Sequence, residues 1–156
     1  MERITRLDRV FVFGDRLSFL VPREWIEQLE EDNCYLYQRP KTDSGWLRVS
    51  LITSNVVQGT PAQKLKRLFA KRDNVRIDEE TGNLVSSYEK DSDQNGVALH
   101  IYYWMVANTV LPDLIREAVF SYTILRERTS DEETIEAVKV IGQLVSQAQF
   151  LPFPAM

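Results

Sequence analysis

Residues 11–22 read FVFGDRLSFLVP, two apolar, strand-forming runs on either side of Gly14-Asp15, a pair suited to the positive φ angles of a tight hairpin turn. In the second run Leu17, Phe19 and Val21 alternate with Ser18 and Leu20, which marks one sheet face as apolar. Pro22 closes the run because it has no N–H to give to a ladder. The chain thus opens on an antiparallel hairpin, and the rest of it has to be compatible with a sheet. Cys34 to Arg39 and Trp46 to Thr53 read as the next two strands, a second hairpin joined by the turn formers Pro40 to Gly45.

The period then changes. Thr60 is placed as an N-cap with Pro61 at the first helical position, and Ala62, Leu65, Leu68 and Phe69 recur at helical spacing. Lys64, Lys66, Arg67, Lys71 and Arg72 give this helix a basic, solvated outer face. Strand character returns at Val75 to Asp78 and Leu84 to Lys90, followed by the loop-forming run SDQNG at residues 92–96. Val97 to Ala107 and Ile115 to Leu125 are the strongest strands, connected by Asn108 to Asp113 and expected to pair as neighbours. Ser130 and Glu133 form a capping-box pair, and the stripe Ile135, Val138, Ile141, Val145, Ala148 predicts a final helix lying on the sheet. The apolar tail FLPFPAM is expected to pack on its own domain, with capture of a partner as the other reading.

Composition sets the outer bounds. A chain of 156 residues with 44% apolar content, no internal repeat and no linker-like segment implies one core, so residues 1–156 are expected to form a single α+β domain. Its sheet is antiparallel, with at least two helices packed on it. Nineteen basic against 23 acidic residues leave a net charge of -4, which disfavours nucleic acid and anionic membrane surfaces as partners. The start MERITRLDR lacks the apolar stretch of a secretory signal, so a cytoplasmic location is expected. Gly96 to Pro112, within the longest run without a formal charge, is short of a helical membrane span and reads as a buried strand. The lone Cys34 has no second thiol for a disulfide or a metal site.

The order of these elements is itself informative. A hairpin ending in LSFLVPREW (17–25), two further strands, the helix TPAQKLKRLF (60–69), a long meander and a last helix resemble the PsbP-like fold. That fold is shared by the photosystem PsbP proteins, the Ran-binding Mog proteins, DcrB and bacterial chaperones that load type VI secretion effectors. Pro22 and Trp25 are similar to the proline and tryptophan that often follow the second strand in that group. The resemblance implies an α/β/α sandwich, and protein binding in place of catalysis. A shared fold does not fix function, and no cofactor or metal site carries over from the group.

Two local patterns suggest chemistry. Asp91-Ser92-Asp93-Gln94-Asn95-Gly96 has the alternating oxygens and turn glycine of a calcium loop, with Asp91, Asp93 and Asn95 as ligands. The twelfth position of such a loop needs a bidentate carboxylate and is Tyr102 here, so a solvated turn is the better reading. His100 is the only histidine, and as a general acid or base it needs a nucleophile or carboxylate within reach that the sequence does not place beside it. The serines sit in no nucleophile elbow, and the glycines form no phosphate loop or dinucleotide fingerprint. Glu79-Glu80 and Glu132-Glu133 fall at a turn and a helix start, where acidic residues have local reasons to be.

Comparison of the strands gives the binding hypothesis. Leu47, Val49 and Leu51 oppose Trp46, Arg48 and Ser50, while Ala118, Phe120, Tyr122 and Ile124 oppose Ser121 and Thr123. If His100, Tyr102 and Trp104 share the mixed side with Arg48 and Ser50, that side offers aromatic anchors with polar handles, as protein interfaces do. The other arrangement covers this side with a helix or the tail and makes Tyr102 and Trp104 a second core layer. The expected function is a non-catalytic protein-binding module, an adaptor or chaperone with an unidentified protein partner. Two alternatives are a small-molecule binder or weak hydrolase with a pocket near His100, and an immunity protein that neutralises a toxin.

Overall fold

The computed structural model describes residues 6–30, 34–39 and 45–152. In chain order the elements are β1 (Leu7–Val12), β2 (Leu17–Pro22), β3 (Ile26–Glu30), β4 (Cys34–Gln38), β5 (Trp46–Asn55), α1 (Pro61–Phe69), β6 (Arg76–Ile77), β7 (Leu84–Gln94), β8 (Val97–Leu111), β9 (Leu114–Leu125), α2 (Glu132–Ser146) and β10 (Gln149–Phe150). They form two antiparallel sheets, one of three strands ordered β1-β2-β10 and one of seven ordered β3-β4-β5-β9-β8-β7-β6. The α+β class and the helix-flanked antiparallel sheet are those expected from the sequence.

The opening hairpin turns through Phe13, Gly14 and Asp15, all at positive φ (57°, 63° and 63°). After β2 the chain leaves the small sheet at a turn in which the Trp25 amide donates to the Pro22 carbonyl (3.1 Å). This swings Trp25 into the core, where its indole stacks on Tyr122 at 6.0 Å between ring centroids. The prolyl and tryptophan pair quoted above is therefore a switch between the two sheets. β3 follows at once and was not anticipated: all but its last residue are exposed, so it has no apolar alternation to read. β4 and β5 pair as expected, and the turn assigned to Pro40–Gly45 lies, apart from Gly45, outside the described residues.

Helix α1 begins as its residues dictate. Thr60 Oγ1 accepts from the Gln63 amide (3.2 Å), Gln63 Oε1 accepts from the Thr60 amide (3.0 Å), and Pro61 follows the cap. Leu65 and Phe69 are buried with Ala107 and Ile115 in a small second core, whereas Leu68 stays partly exposed. Helix α2 departs from expectation at two points. Its N-cap is Asp131, in an extended conformation without a side-chain cap bond, so the Ser130–Glu133 capping box is not formed. Its buried row is Thr134, Ala137, Ile141 and Val145, and Ile135, about 100° round the helix from Thr134, is exposed.

The meander is longer than expected. Strand structure runs through Asp91, Ser92, Asp93 and Gln94, leaving only Asn95-Gly96 (φ 52° and 81°) as the turn. β8 continues to Leu111, so most of the connection assigned to Asn108–Asp113 is strand. Leu111 pairs with Leu114, but the register then shifts and Thr109 pairs with Ile115, with Val110 the extra residue of a bulge. Beyond the bulge Tyr102 faces Tyr122 and Trp104 faces Phe120. The main core lies between the seven-stranded sheet on one side and α2 and the three-stranded sheet on the other. Edge-to-face contacts of Phe19 with Phe120 (5.2 Å) and with Tyr37 (5.6 Å) join the two sheets through it.

Candidate functional site: the two faces of the large sheet

Residues directly opposite in an antiparallel ladder share a face, so the register sorts every side chain. One row runs Glu89, Tyr102, Tyr122, Leu47, Tyr37, Glu27, and the next runs Ser87, Trp104, Phe120, Val49, Tyr35, Leu29. These rows form the core face. The opposite face carries the row Tyr88, Tyr103, Ser121, Arg48, Leu36, Gln28, flanked by Lys90, Ile101, Thr123, Trp46 and by Ser86, Met105, Val119, Ser50.

The proposed grouping of Arg48, Ser50, His100, Tyr102 and Trp104 is therefore divided between the two faces. Tyr102 and Trp104 lie beneath α2 and the small sheet: Trp104 is 6% exposed and Tyr102 packs against the main core. Gly142 lets α2 come close, since a Cβ there would stand 3.1 Å from the Trp104 indole nitrogen. Burial raises the Tyr102 hydroxyl above its ordinary pKa, with Glu89 adding to the rise. The second-layer arrangement weighed above is the one found for these two aromatics.

His100 sits at the end of the core face. Its Nδ1 lies 2.7 Å from Asp91 Oδ1 and its Nε2 3.1 Å from Glu89 Oε1, with Tyr102 edge-on to the ring at 4.8 Å. Both nitrogens can donate at once only as an imidazolium. Among the described residues no serine, threonine or cysteine hydrogen-bonds to the ring, so the carboxylates it meets hold it as a cross-strand clamp. Asp91 is held below the usual carboxylate pKa by the His100 hydrogen bond and by Arg126, whose Nε is 3.3 Å away. Arg126 also donates to the Ser92 and Leu99 carbonyls, which locks the end of the β7–β8 hairpin. Asp91 and Asp93 thus lie along a strand and face Arg126, in place of curling with Asn95 round an ion. No group of three or more potential metal ligands occurs among the described residues.

Arg48 and Ser50 lie on the opposite face, which the described residues cover in part and where Leu36, Ser86, Ile101 and Thr123 are buried. The apolar contacts of α1 are with Leu84, Ala107 and Ile115 at one end, and α2 is on the other side of the sheet. Away from α1 the face carries partly exposed Trp46, Arg48, Ser50, Tyr103, Met105 and Val119, together with Tyr88 at 42% exposure. Tyr88 and Tyr103 stack at 4.6 Å, and Lys90 Nζ lies 5.4 Å from the Tyr103 ring. Arg48 Nε is 2.9 Å from Glu30 Oε1, which fixes the guanidinium at the edge of this surface. Tyr88, Tyr103 and Met105 were missed because β8 is apolar on both sides, and only the Val110 bulge decides which side joins Arg48.

Two concavities open elsewhere. One of about 500 Å³ is lined by Asn55, Val57, Gln58, Lys64, Arg67 and Leu68; one of about 170 Å³ lies where Arg9, Glu80 and Gln147 meet. Neither reaches His100.

No protein-family model matches the chain, and no curated protein is similar in sequence. Solved structures are similar in fold. A crystal structure from Bacteroides thetaiotaomicron superposes with a TM-score of 0.59 at 16% identity, covering 91% of this chain and 47% of the other, so the chain spans about half of that protein. LpqN of Mycobacterium tuberculosis, involved in cell envelope biogenesis, gives 0.52 at 15% identity over 92% and 90% of the two chains. The solution structure of cyanobacterial PsbP from Synechocystis gives 0.40 at 14% identity, over 92% of each chain. The chain shares its fold with the Bacteroides protein and with LpqN, and its elements follow the order read from the sequence with β3 and β10 added. No helix among the described residues is long and apolar enough to cross a membrane.

Proposed function

We propose that the chain is a non-catalytic protein-binding module, an adaptor or chaperone, that receives its partner on the sheet face bearing Arg48, Ser50, Tyr88, Tyr103 and Met105. The observation that carries the reading is the asymmetry of the large sheet: among the described residues, one face is covered by α2 and the small sheet, the other by α1 at one end. Aromatics with polar handles, methionine and arginine are the residue types enriched at protein interfaces. That catalysis is not involved is supported by His100, whose two ring nitrogens are both engaged by carboxylates. A cytoplasmic setting belongs to the proposal, in keeping with a chain that has a single cysteine.

The test places a photo-crosslinking amino acid at Tyr88 or at Tyr103 and illuminates the protein in lysate of its source cells. The control site is Ile135, exposed on α2 on the far side of the molecule. One dominant protein adduct from both sheet sites, weakened by Arg48→Glu and absent from the Ile135 site, is the expected result. Identical adducts from all three sites, or none from the sheet sites, overturns the reading.

A further inference from the structure

The basic residues of this acidic chain are segregated. Residues 61–72 hold five of the 19 basic residues and none of the 23 acidic ones. Lys64 and Arg67 lie on one stripe of α1, away from the buried Leu65 and Phe69, and Lys71 follows just past the end of the helix. Two cations of the segment have partners: Arg72 with Glu117, and Lys64, which donates to the Asn55 carbonyl (2.9 Å). Lys66, Arg67 and Lys71 make no ion pair among the described residues.

The stripe borders the 500 Å³ concavity, whose apolar rim is Val57, 92% exposed, and Leu68, 38% exposed. An apolar side chain held almost wholly in water beside unpaired cations defines a specific complement. The helix N-terminus plays no part, because the Gln63 amide is already taken by the Thr60 cap.

We propose that this groove binds an acidic peptide segment of a protein partner, one in which an apolar residue seated between Val57 and Leu68 is flanked by carboxylates that meet Lys64 and Arg67, with Lys71 beyond the helix end adding to the positive charge. The nine helical residues of α1 extend about 13 Å, the span of about four extended residues. A short peptide lying in the groove feels the local cations, because charges beyond about 8 Å are screened at physiological salt. A broad anionic surface, lipid or nucleic acid, also meets the rest of a chain whose net charge is -4. The groove is separate from the Tyr88–Tyr103 surface and does not depend on it.

The probe is the fluorescein-labelled hexapeptide Glu-Leu-Glu-Asp-Leu-Glu, titrated with the full chain by fluorescence anisotropy at about 50 and 200 mM salt. Saturable binding that weakens with salt is expected. Roughly tenfold loss is expected from the Arg67→Glu, Lys71→Glu double variant, and a smaller loss from Val57→Ser. Circular dichroism establishes that these exposed substitutions leave the fold intact. The proposal is overturned if the neutral peptide Gln-Leu-Gln-Asn-Leu-Gln binds equally well, or if charge reversal changes nothing. It is also overturned if the chain ignores the acidic peptide while phosphatidylserine vesicles retain it. Tyr103 is untouched throughout, so failure here leaves the reading of the open sheet face standing.

Discussion

At the scale of single residues, two side chains make measurable commitments. The Cys34 thiol is raised above its ordinary pKa by burial first and by the neighbouring Glu30 carboxylate second. Less thiolate is then present at neutral pH, so Cys34 is expected to react several-fold more slowly with iodoacetamide than an unhindered cysteine. Glu30→Gln should speed the reaction, as followed by intact-mass spectrometry; a Cys34 as reactive as glutathione contradicts the assignment. Asp91 is shifted the other way. Its folded-state pKa lies below 3.8 while the unfolded chain titrates at the ordinary value, so the unfolded state binds more protons in that acid window. The stabilisation from Asp91 is therefore complete above the ordinary carboxyl range and fades as pH falls through the depressed value. Asp91→Asn should flatten the acid limb of a plot of Tm against pH and remove the dependence contributed by this clamp.

At the scale of elements, α2 offers the sharpest contrast. Ile141 is buried and Ile135 exposed on the same helix, so Ile141→Ala should cost about 2–5 kcal/mol in chemical denaturation and Ile135→Ala within about 0.5 kcal/mol. Equal costs would mean that α2 is docked by another face. The sequence stripe Ile135, Val138, Ile141, Val145, Ala148 had the right period, but Ile135 is exposed and Ala148, though buried, lies past the end of α2; periodicity does not reveal that the helix approaches Trp104 at Gly142. The hairpins were legible from Gly14-Asp15 and from alternation, and α1 from its cap. β3 was not, since an edge strand reading IEQLE with exposed side chains resembles a loop. The candidate site failed at a single point: a straight two-residue hairpin at Pro112-Asp113 sets Tyr102 against Thr123, and the one residue inserted at Val110 sets it against Tyr122. A bulge in a strand apolar on both faces leaves no hydrophobic pattern to announce it.

At the scale of the whole molecule, the layered outline followed from element order, and the closures that complete it are long-range. Asn83, buried where β7 begins, donates to the Ser146 and Ala148 carbonyls and so ties the end of α2 to the sheet. β10 then pairs with β2, and the Leu151 amide donates to the Arg16 carbonyl (2.9 Å), which carries the chain's last described residues back to its first hairpin. For the tail, own-domain packing holds through Leu151, whose carbonyl accepts from Arg116, and residues 153–156 lie outside the described structure. Consecutive hairpins β7–β8 and β8–β9 contrast with these closures. Their partners are neighbours in sequence, whereas β5 must find β9 across the intervening segment and Ser18 must wait for Gln149. Loop-closure entropy is paid least in the meander, so amides of residues 84–125 should gain protection in pulse-labelled hydrogen exchange before those of β1 and β2. During synthesis the β1–β2 hairpin therefore has an open edge along β2 until residues 149–150 have emerged to fill it.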